Sequence, residues 1–333
     1  MTFTAPPASG VRHDWADLPA AVRRAVEDIL GSPVIDARSQ SGGFSPGVAA
    51  RVRLANGGRA FVKAVSAEVN PGAPDLHRAE ARHTAALPPH APVPRLLGSY
   101  DDGTCVALVL EDIEGRQPAV PWDPAELDRV LAAVTALTRS LTPAPIDAPS
   151  VARREASMFT GWRTLRAAGG DARLDPWAAR RLGALAELEA GWAEAAGGDS
   201  LAHADLRADN ILLTEDRVVF VDWPHAVLAA PWFDLLAMLP CVAAQGGPDP
   251  EAVFTAHPLG RDAEPAAVTA VLAALAGYFV AHSLRPGPPG LPTLRAFQAA
   301  QGAAALGWLR NRPGHRLGQG LSSNQAGLAG SGA

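Results

Sequence analysis

Apolar and polar positions follow two different periods along this chain, and the period changes near residue 113. After a proline-rich start, Leu18, Val22, Val26 and Ile29 recur at helical spacing through 17–30, with Asp17 placed to cap the first turn. Short alternating or β-branched stretches follow at 34–40, 48–54 and 60–65, and Asn56-Gly57-Gly58 between the last two suits a hairpin turn. Helical spacing returns at 74–87. Two more strands, 96–100 and 104–111, are predicted across Asp101-Asp102-Gly103. Residues 1–112 therefore read as an α+β unit, a five-stranded antiparallel sheet with one helix inserted between its third and fourth strands.

From Pro124 onward the pattern is mostly helical, over 124–141, 151–168, 176–195, 232–242, 265–284 and 293–310. One small hairpin interrupts it, 211–213 with 218–221, turning over Thr214-Glu215-Asp216-Arg217. The longest uncharged run, 265–284, is alanine-rich and contains Thr269, Gly277, Tyr278 and His282, so it reads as a buried helix and not a membrane span. Residues 313–333 are rich in Gly, Ser and Gln without periodicity and read as a disordered tail. The expected division is a first unit to 112, a helical unit over 113–312, and that tail.

Composition narrows the function classes. With 333 residues, 48% of them apolar, the chain can bury a sizeable core, which excludes disorder over most of it. Two cysteines, Cys105 and Cys241, cannot build a disulfide framework or a zinc cage, and the first residues lack an apolar leader, so a reduced, cytoplasmic protein is expected. A net charge of −5 without any basic run argues against nucleic acid and anionic membranes as partners. Of 29 basic residues 28 are arginine, and Lys63 alone is lysine.

The strongest chemical constellation lies around the small hairpin: His203-Ala204-Asp205-Leu206-Arg207-Ala208-Asp209-Asn210, and then Asp222. Asn210 directly precedes the first hairpin strand and Asp222 directly follows the second, which puts both at the open end of an antiparallel pair, near the carboxylate of Asp205. Hard oxygen donors in an open cluster suit magnesium, which takes few protein ligands and completes its octahedron with water and phosphate oxygens. His203 and His225 read as bracing residues.

These residues resemble the aminoglycoside phosphotransferase and choline kinase family, which has the bilobal protein-kinase-like fold. HADLRADN followed by VVFVDW looks like that family's catalytic loop and metal-binding strand. The resemblance implies that Asp205 is the acceptor-side catalytic residue and that Asn210 and Asp222 hold magnesium. It places a nucleotide loop at Ser41–Gly47, whose Gly42, Gly43 and Phe44 would lie over the phosphates of ATP or GTP. It also gives Lys63, in the third strand, the phosphate-pairing role. In the following helix Leu76, Glu80, His83 and Leu87 share a face, which would strand the Glu80 carboxylate on an apolar stripe unless it pairs with Lys63. Glu111 and Ile113 match the link between lobes and would meet the nucleotide base with their main chain. Asp234 matches a structural aspartate.

Departures from the family pattern carry information too. Ala204 stands where the family usually has Gly, and Arg207 where it often has His, either reaching the transferring phosphate or filling space. After Asp222, Trp223-Pro224 replaces the Phe-Gly of protein kinases, and only eleven residues separate Asp222 from Asp234, too few for a protein-substrate platform. The expected function is transfer of the γ-phosphoryl of a nucleotide to a hydroxyl of a small molecule, with Asp205 and Arg207 on the catalytic side. The alternative is a nucleotide-binding pseudokinase that regulates a partner. Everything after Glu264 lacks Asp and Glu but holds five arginines, so the expected acceptor is neutral or anionic and not a polycation.

Overall fold

The computed structural model describes residues 5–6, 12–40, 42–44, 47–68 and 70–313. Ser41, Ser45 and Pro46 of the glycine loop and the tail from residue 314 lie outside the described residues. The sheet comprises β1 (Arg12–His13), β2 (Val34–Ser39), β3 (Gly47–Leu54), β4 (Arg59–Ser66), β5 (Leu96–Asp101) and β6 (Cys105–Leu110). Its spatial order is β1-β3-β4-β6-β5, with β2 also on β3. Five of these strands pair antiparallel, as expected. The sixth, β1, is an addition: it lies parallel to β3 with Arg12 opposite Gly47 and His13 opposite Val48. Two residues without apolar periodicity give no strand signal, because β1 exists only through its pairing.

Strand alternation sorts side chains to the two faces of the sheet. Ala107 and Val109 of β6 join Val62 and Ala64 of β4 on one face, covered by Val22 and Val26 of α1 (Ala20–Leu30). Val106, Leu108 and Leu110 point the other way, toward Ala81 of α2 (Ala73–Ala86). Lys63, between Val62 and Ala64, is thereby placed on the α2 face. Asp17 is not the cap of α1. It ends a 3-10 turn at Trp15–Asp17, where its carboxylate accepts from the Asp14 amide, and Pro19 starts the helix instead.

The helical part runs through α3 (Pro124–Ser140), α4 (Val151–Arg154), α5 (Gly161–Ala167), α6 (Pro176–Arg180), α7 (Leu182–Ala190), α8 (Trp192–Ala195), α9 (Phe233–Ala244), α10 (Pro250–Ala256), α11 (Pro258–Arg261), α12 (Pro265–Ser283) and α13 (Leu294–Asn311). The predicted helix 151–168 is thus two helices with a break at 155–160, and 176–195 is three. Two short strand pairs complete it: β7 (Ser200–Ala202) with β10 (Val227–Ala229), and the predicted hairpin β8 (Ile211–Leu213) with β9 (Val218–Phe220).

Helix α12 is long and apolar enough to cross a bilayer, yet it lies inside the helical part, against α5, α7, α8, α9 and α13. Its tightest approach is to α5. A Cβ on Gly161 would fall 2.0 Å from the Gly277 carbonyl oxygen, and one on Gly277 would fall 2.7 Å from Glu189 Oε1. That carboxylate, fully buried, accepts from the Trp162 and Arg163 amides and so caps α5 from α7. Gly161→Ala should destabilise the protein by roughly 1–3 kcal/mol, the usual cost of overpacking, read as a lower urea midpoint at an unchanged slope. A wild-type midpoint would show that the two helices can part without cost.

Candidate active site

One cavity of about 960 Å³ lies between the sheet and the helices, lined by Lys63, Glu80, Asp205, Arg207, Asn210 and Asp222, by Gly42, Gly43 and Phe44, and by Glu111 and Ile113. The residues expected from the sequence to serve catalysis, nucleotide and metal are therefore all on its wall, whereas His203 and Asp234 lie behind it. Lys63 Nζ donates to Glu80 Oε1 at 2.6 Å and to Asp222 Oδ1 at 2.8 Å. The Lys63–Glu80 pair is thus present, and Asp222 joins it. Burial works against the lysine's charge, but attraction to Asp222 and Glu80 outweighs it, so the ammonium stays protonated beyond the ordinary range. Burial likewise opposes the Asp222 charge, and Lys63 overrides it and holds that carboxyl well below the usual carboxylate range.

Asp205 sits in the loop between β7 and β8. Burial pushes its pKa up to about 7, against the lowering effect of Arg207, whose Nη1 donates to Asp205 Oδ1 at 3.1 Å. Arg207 also grips Asp209 through Nε (3.0 Å) and Nη2 (2.9 Å), and its guanidinium lies over the rings of Phe44 and Phe297. Asn210 commits its amide nitrogen to Asp205, at the main-chain oxygen (2.8 Å) and at Oδ2 (3.1 Å). This leaves the Asn210 side-chain oxygen as the atom able to ligate a cation. Among the described residues no group of three or more His, Cys, Asp or Glu is arranged to hold a metal ion by itself, and an amide oxygen beside one ionised carboxylate fits a magnesium ion that keeps most of its shell for water and phosphate.

The loop is held from behind. Asp234, buried at the start of α9, accepts from the His203 amide at 2.7 Å and the Ala204 amide at 2.8 Å. His203 Nε2 donates to the Val221 carbonyl at 2.9 Å, while Nδ1 accepts from the Asp205 amide, which fixes the ring as a brace. Burial lowers its pKa to about 4, so the brace is neutral. Ala204 and Asp222 both have left-handed backbone, φ 65° and 71°. A left-handed conformation at 204 explains why the resembling family usually has Gly there.

Beyond Asp205 the cavity wall is mainly apolar and aromatic, with Met158, Phe159, Tyr278, Phe279 and Phe297. The break between α4 and α5 puts Glu155, Met158 and Phe159 on this wall. Glu155 is the carboxylate beside this aromatic stretch of the wall, 3.8 Å from Arg154. Asp171 instead pairs with Arg173, and Asp175 caps α6. Pattern reading missed Arg12, Arg154, Gln298 and Gln301, which also line the cavity. None of them belongs to a motif, and only the fold brings them together.

Comparison with known proteins bears on this arrangement. The model of the Phosphotransferase enzyme family matches residues 41–278, well over half of the chain. The comparison with curated proteins gives no match. Among solved structures, a thermostable mutant of aminoglycoside phosphotransferase APH(4)-Ia in ternary complex with ADP and hygromycin B is similar over 89% of this chain and 100% of that one, at 15% identity and TM-score 0.61. An aminoglycoside phosphotransferase from Alicyclobacillus acidocaldarius covers 88% and 94%, at 17% identity and TM-score 0.52. A choline/ethanolamine kinase family protein from Mesorhizobium loti covers 79% and 85%, at 19% identity and TM-score 0.50. At these identities the neighbours establish the kinase-like fold, and the match over 41–278, which contains Lys63, Asp205 and Asp222, establishes more: this chain belongs to the phosphotransferase enzyme family.

Proposed function

We propose that this small-molecule kinase uses ATP or GTP with magnesium and moves the γ-phosphoryl to a hydroxyl of a small, neutral or anionic acceptor in the cytoplasm. The observation that carries the reading is the meeting, in one cavity, of the Lys63–Glu80–Asp222 triad with the Asp205–Asn210 loop. In this reading the two lobes divide near residue 112, and the nucleotide enters between them. Lys63 binds phosphate oxygens, and Glu80 keeps its ammonium in place. Gly42, Gly43 and Phe44 cover the phosphates. The Ile113 carbonyl already accepts from Arg51 Nη2 at 2.8 Å and from the Gly115 amide at 2.9 Å, so Ile113 offers its amide to the base and Glu111 its carbonyl.

Asn210 and Asp222 would hold magnesium, which supplies neutralisation of charge on the phosphates. Asp205 orients the acceptor hydroxyl and takes its proton. Arg207, bonded to Asp205 and Asp209, sets the position of the Asp205 carboxylate and offers positive charge toward the transferring group. The acceptor lies against the aromatic wall. One carboxylate there, beside an arginine, does not provide the converging negative charge that several ammonium groups require. A regulatory pseudokinase is disfavoured because none of the groups needed for transfer is missing.

Three outcomes test this. Mg-ATP at about a hundred times its dissociation constant should stabilise the protein by roughly 2.7 kcal/mol, and Asp222→Asn should abolish most of that gain in a thermal melt. An undiminished gain would remove Asp222 from the site. Asp205→Asn should retain nucleotide binding and slow transfer by roughly 10²–10⁴-fold, measured by mass spectrometry of phosphorylated product in a panel of hydroxylated metabolites; full activity would make the loop a look-alike. Lys63→Arg should raise the nucleotide KM and lower kcat although it conserves charge, because a planar guanidinium cannot take the place of a compact ammonium between Glu80 and Asp222. Wild-type constants in that variant would show the solitary lysine to be an accident of composition.

A further inference from the structure

Charge bookkeeping in the cavity raises a question about phosphate. A nucleoside triphosphate brings several negative charges, yet Lys63 is already bonded to two carboxylates, Glu80 and Asp222, and Arg207 to two more, Asp205 and Asp209. Arg12 adds another cation to this wall. Its backbone lies opposite Gly47, at one end of the glycine loop, and its Nη2 donates to the Gly42 carbonyl at the other end. The side chain therefore runs across the mouth of the loop on the cavity side. Gly43 makes room for it: a Cβ there would fall 2.9 Å from Arg12 Nη2, and its φ of +75° disfavours any other residue. Burial holds the guanidinium's pKa below its ordinary value, against the opposing attraction of Asp222 and Asp209, which line the same cavity. A nucleotide phosphate lying under the loop and over Asp222 passes beside the guanidinium.

We infer that Arg12, delivered by the two-residue strand β1 from outside the family-matched stretch, binds the terminal phosphate of the nucleotide. The inference rests on the phosphotransferase reading and adds to it a phosphate ligand that residues 41–278 do not contain. A guanidinium suits the task because its planar fork donates two parallel hydrogen bonds to phosphate oxygens. Placed at the terminal phosphate, it distinguishes triphosphate from diphosphate, which a residue that merely braces the loop does not.

The test is calorimetric titration of the full chain with Mg-AMP-PNP and with Mg-ADP, in wild type, Arg12→Gln and Arg12→Lys, with apo melting temperatures as the control for folding. Charge-assisted hydrogen bonds predict that Arg12→Gln weakens AMP-PNP by about tenfold or more, while ADP binding changes by less than about twofold. Arg12→Lys, which keeps the charge, should fall between wild type and Arg12→Gln for AMP-PNP alone. Equal losses for both nucleotides would assign Arg12 to bracing the loop and overturn the inference, as would unchanged binding of both. Failure of the wild type to bind these nucleotides or their guanine counterparts, Mg-GMP-PNP and Mg-GDP, would overturn the phosphotransferase reading itself, and this inference with it.

Discussion

One buried ammonium organises the molecule. Lys63 comes from the sheet, Glu80 from α2 and Asp222 from the segment after β9, so three separately folded elements meet at a single charge. Each of these groups, buried alone, would be expensive, and removing any one leaves another uncompensated. Close packing alone allows a helix to slide along a sheet by a fraction of a turn. An ion pair at 2.6 Å does not. His83, one turn beyond Glu80, donates Nδ1 to the Trp223 carbonyl at 2.8 Å, so the same two elements are tied twice. The cleft is consequently set by electrostatics before anything enters it.

Much of this was legible in sequence because it follows short-range rules. Period-two alternation located five strands of the sheet, the family resemblance gave Lys63 its role, and a carboxylate on an apolar helical stripe then pointed to Glu80 as its partner. The loop 203–210 and Asp222 were readable because a hairpin forces its two ends together. What escaped was set by distant partners. The helical period through 151–168 cannot register that Glu155 ends α4 and Gly161 must press against Gly277, so the break between them is invisible in the pattern. Asp17 looked like a helix cap, but Pro19 fixes the chain so that the helix begins after it. Arg12 and His13 show no strand signal, since an edge of β3 left uncovered by β2 is what makes them one.

The cavity also has a polar corner away from the lysine. Arg154, Glu155 and His225 form a polar corner, with Arg154 Nη2 2.7 Å from His225 Nδ1, beside a wall of aromatic rings. Burial lowers the His225 pKa to about 4, so the imidazole is neutral and accepts from the guanidinium. Phe297 and Phe44 meet edge to face at 5.2 Å, so the aromatic wall and the glycine loop share a contact.

The left-handed alanine at 204 has a consequence for how the chain can change over time. Its backbone costs about 1–2 kcal/mol relative to a right-handed conformation, and the two hydrogen bonds that Asp234 accepts from the amides of residues 203 and 204 hold it there. Strain and restraint are therefore coupled, and substitutions at the two positions are not independent. With glycine at 204 the loop would keep its shape under a weakened clamp, whereas with alanine the same change at 234 releases a backbone already inclined to move. A change at Asp234 is therefore tolerated better by a sequence with glycine at 204, and the order in which the two positions change affects the stability of the intermediate.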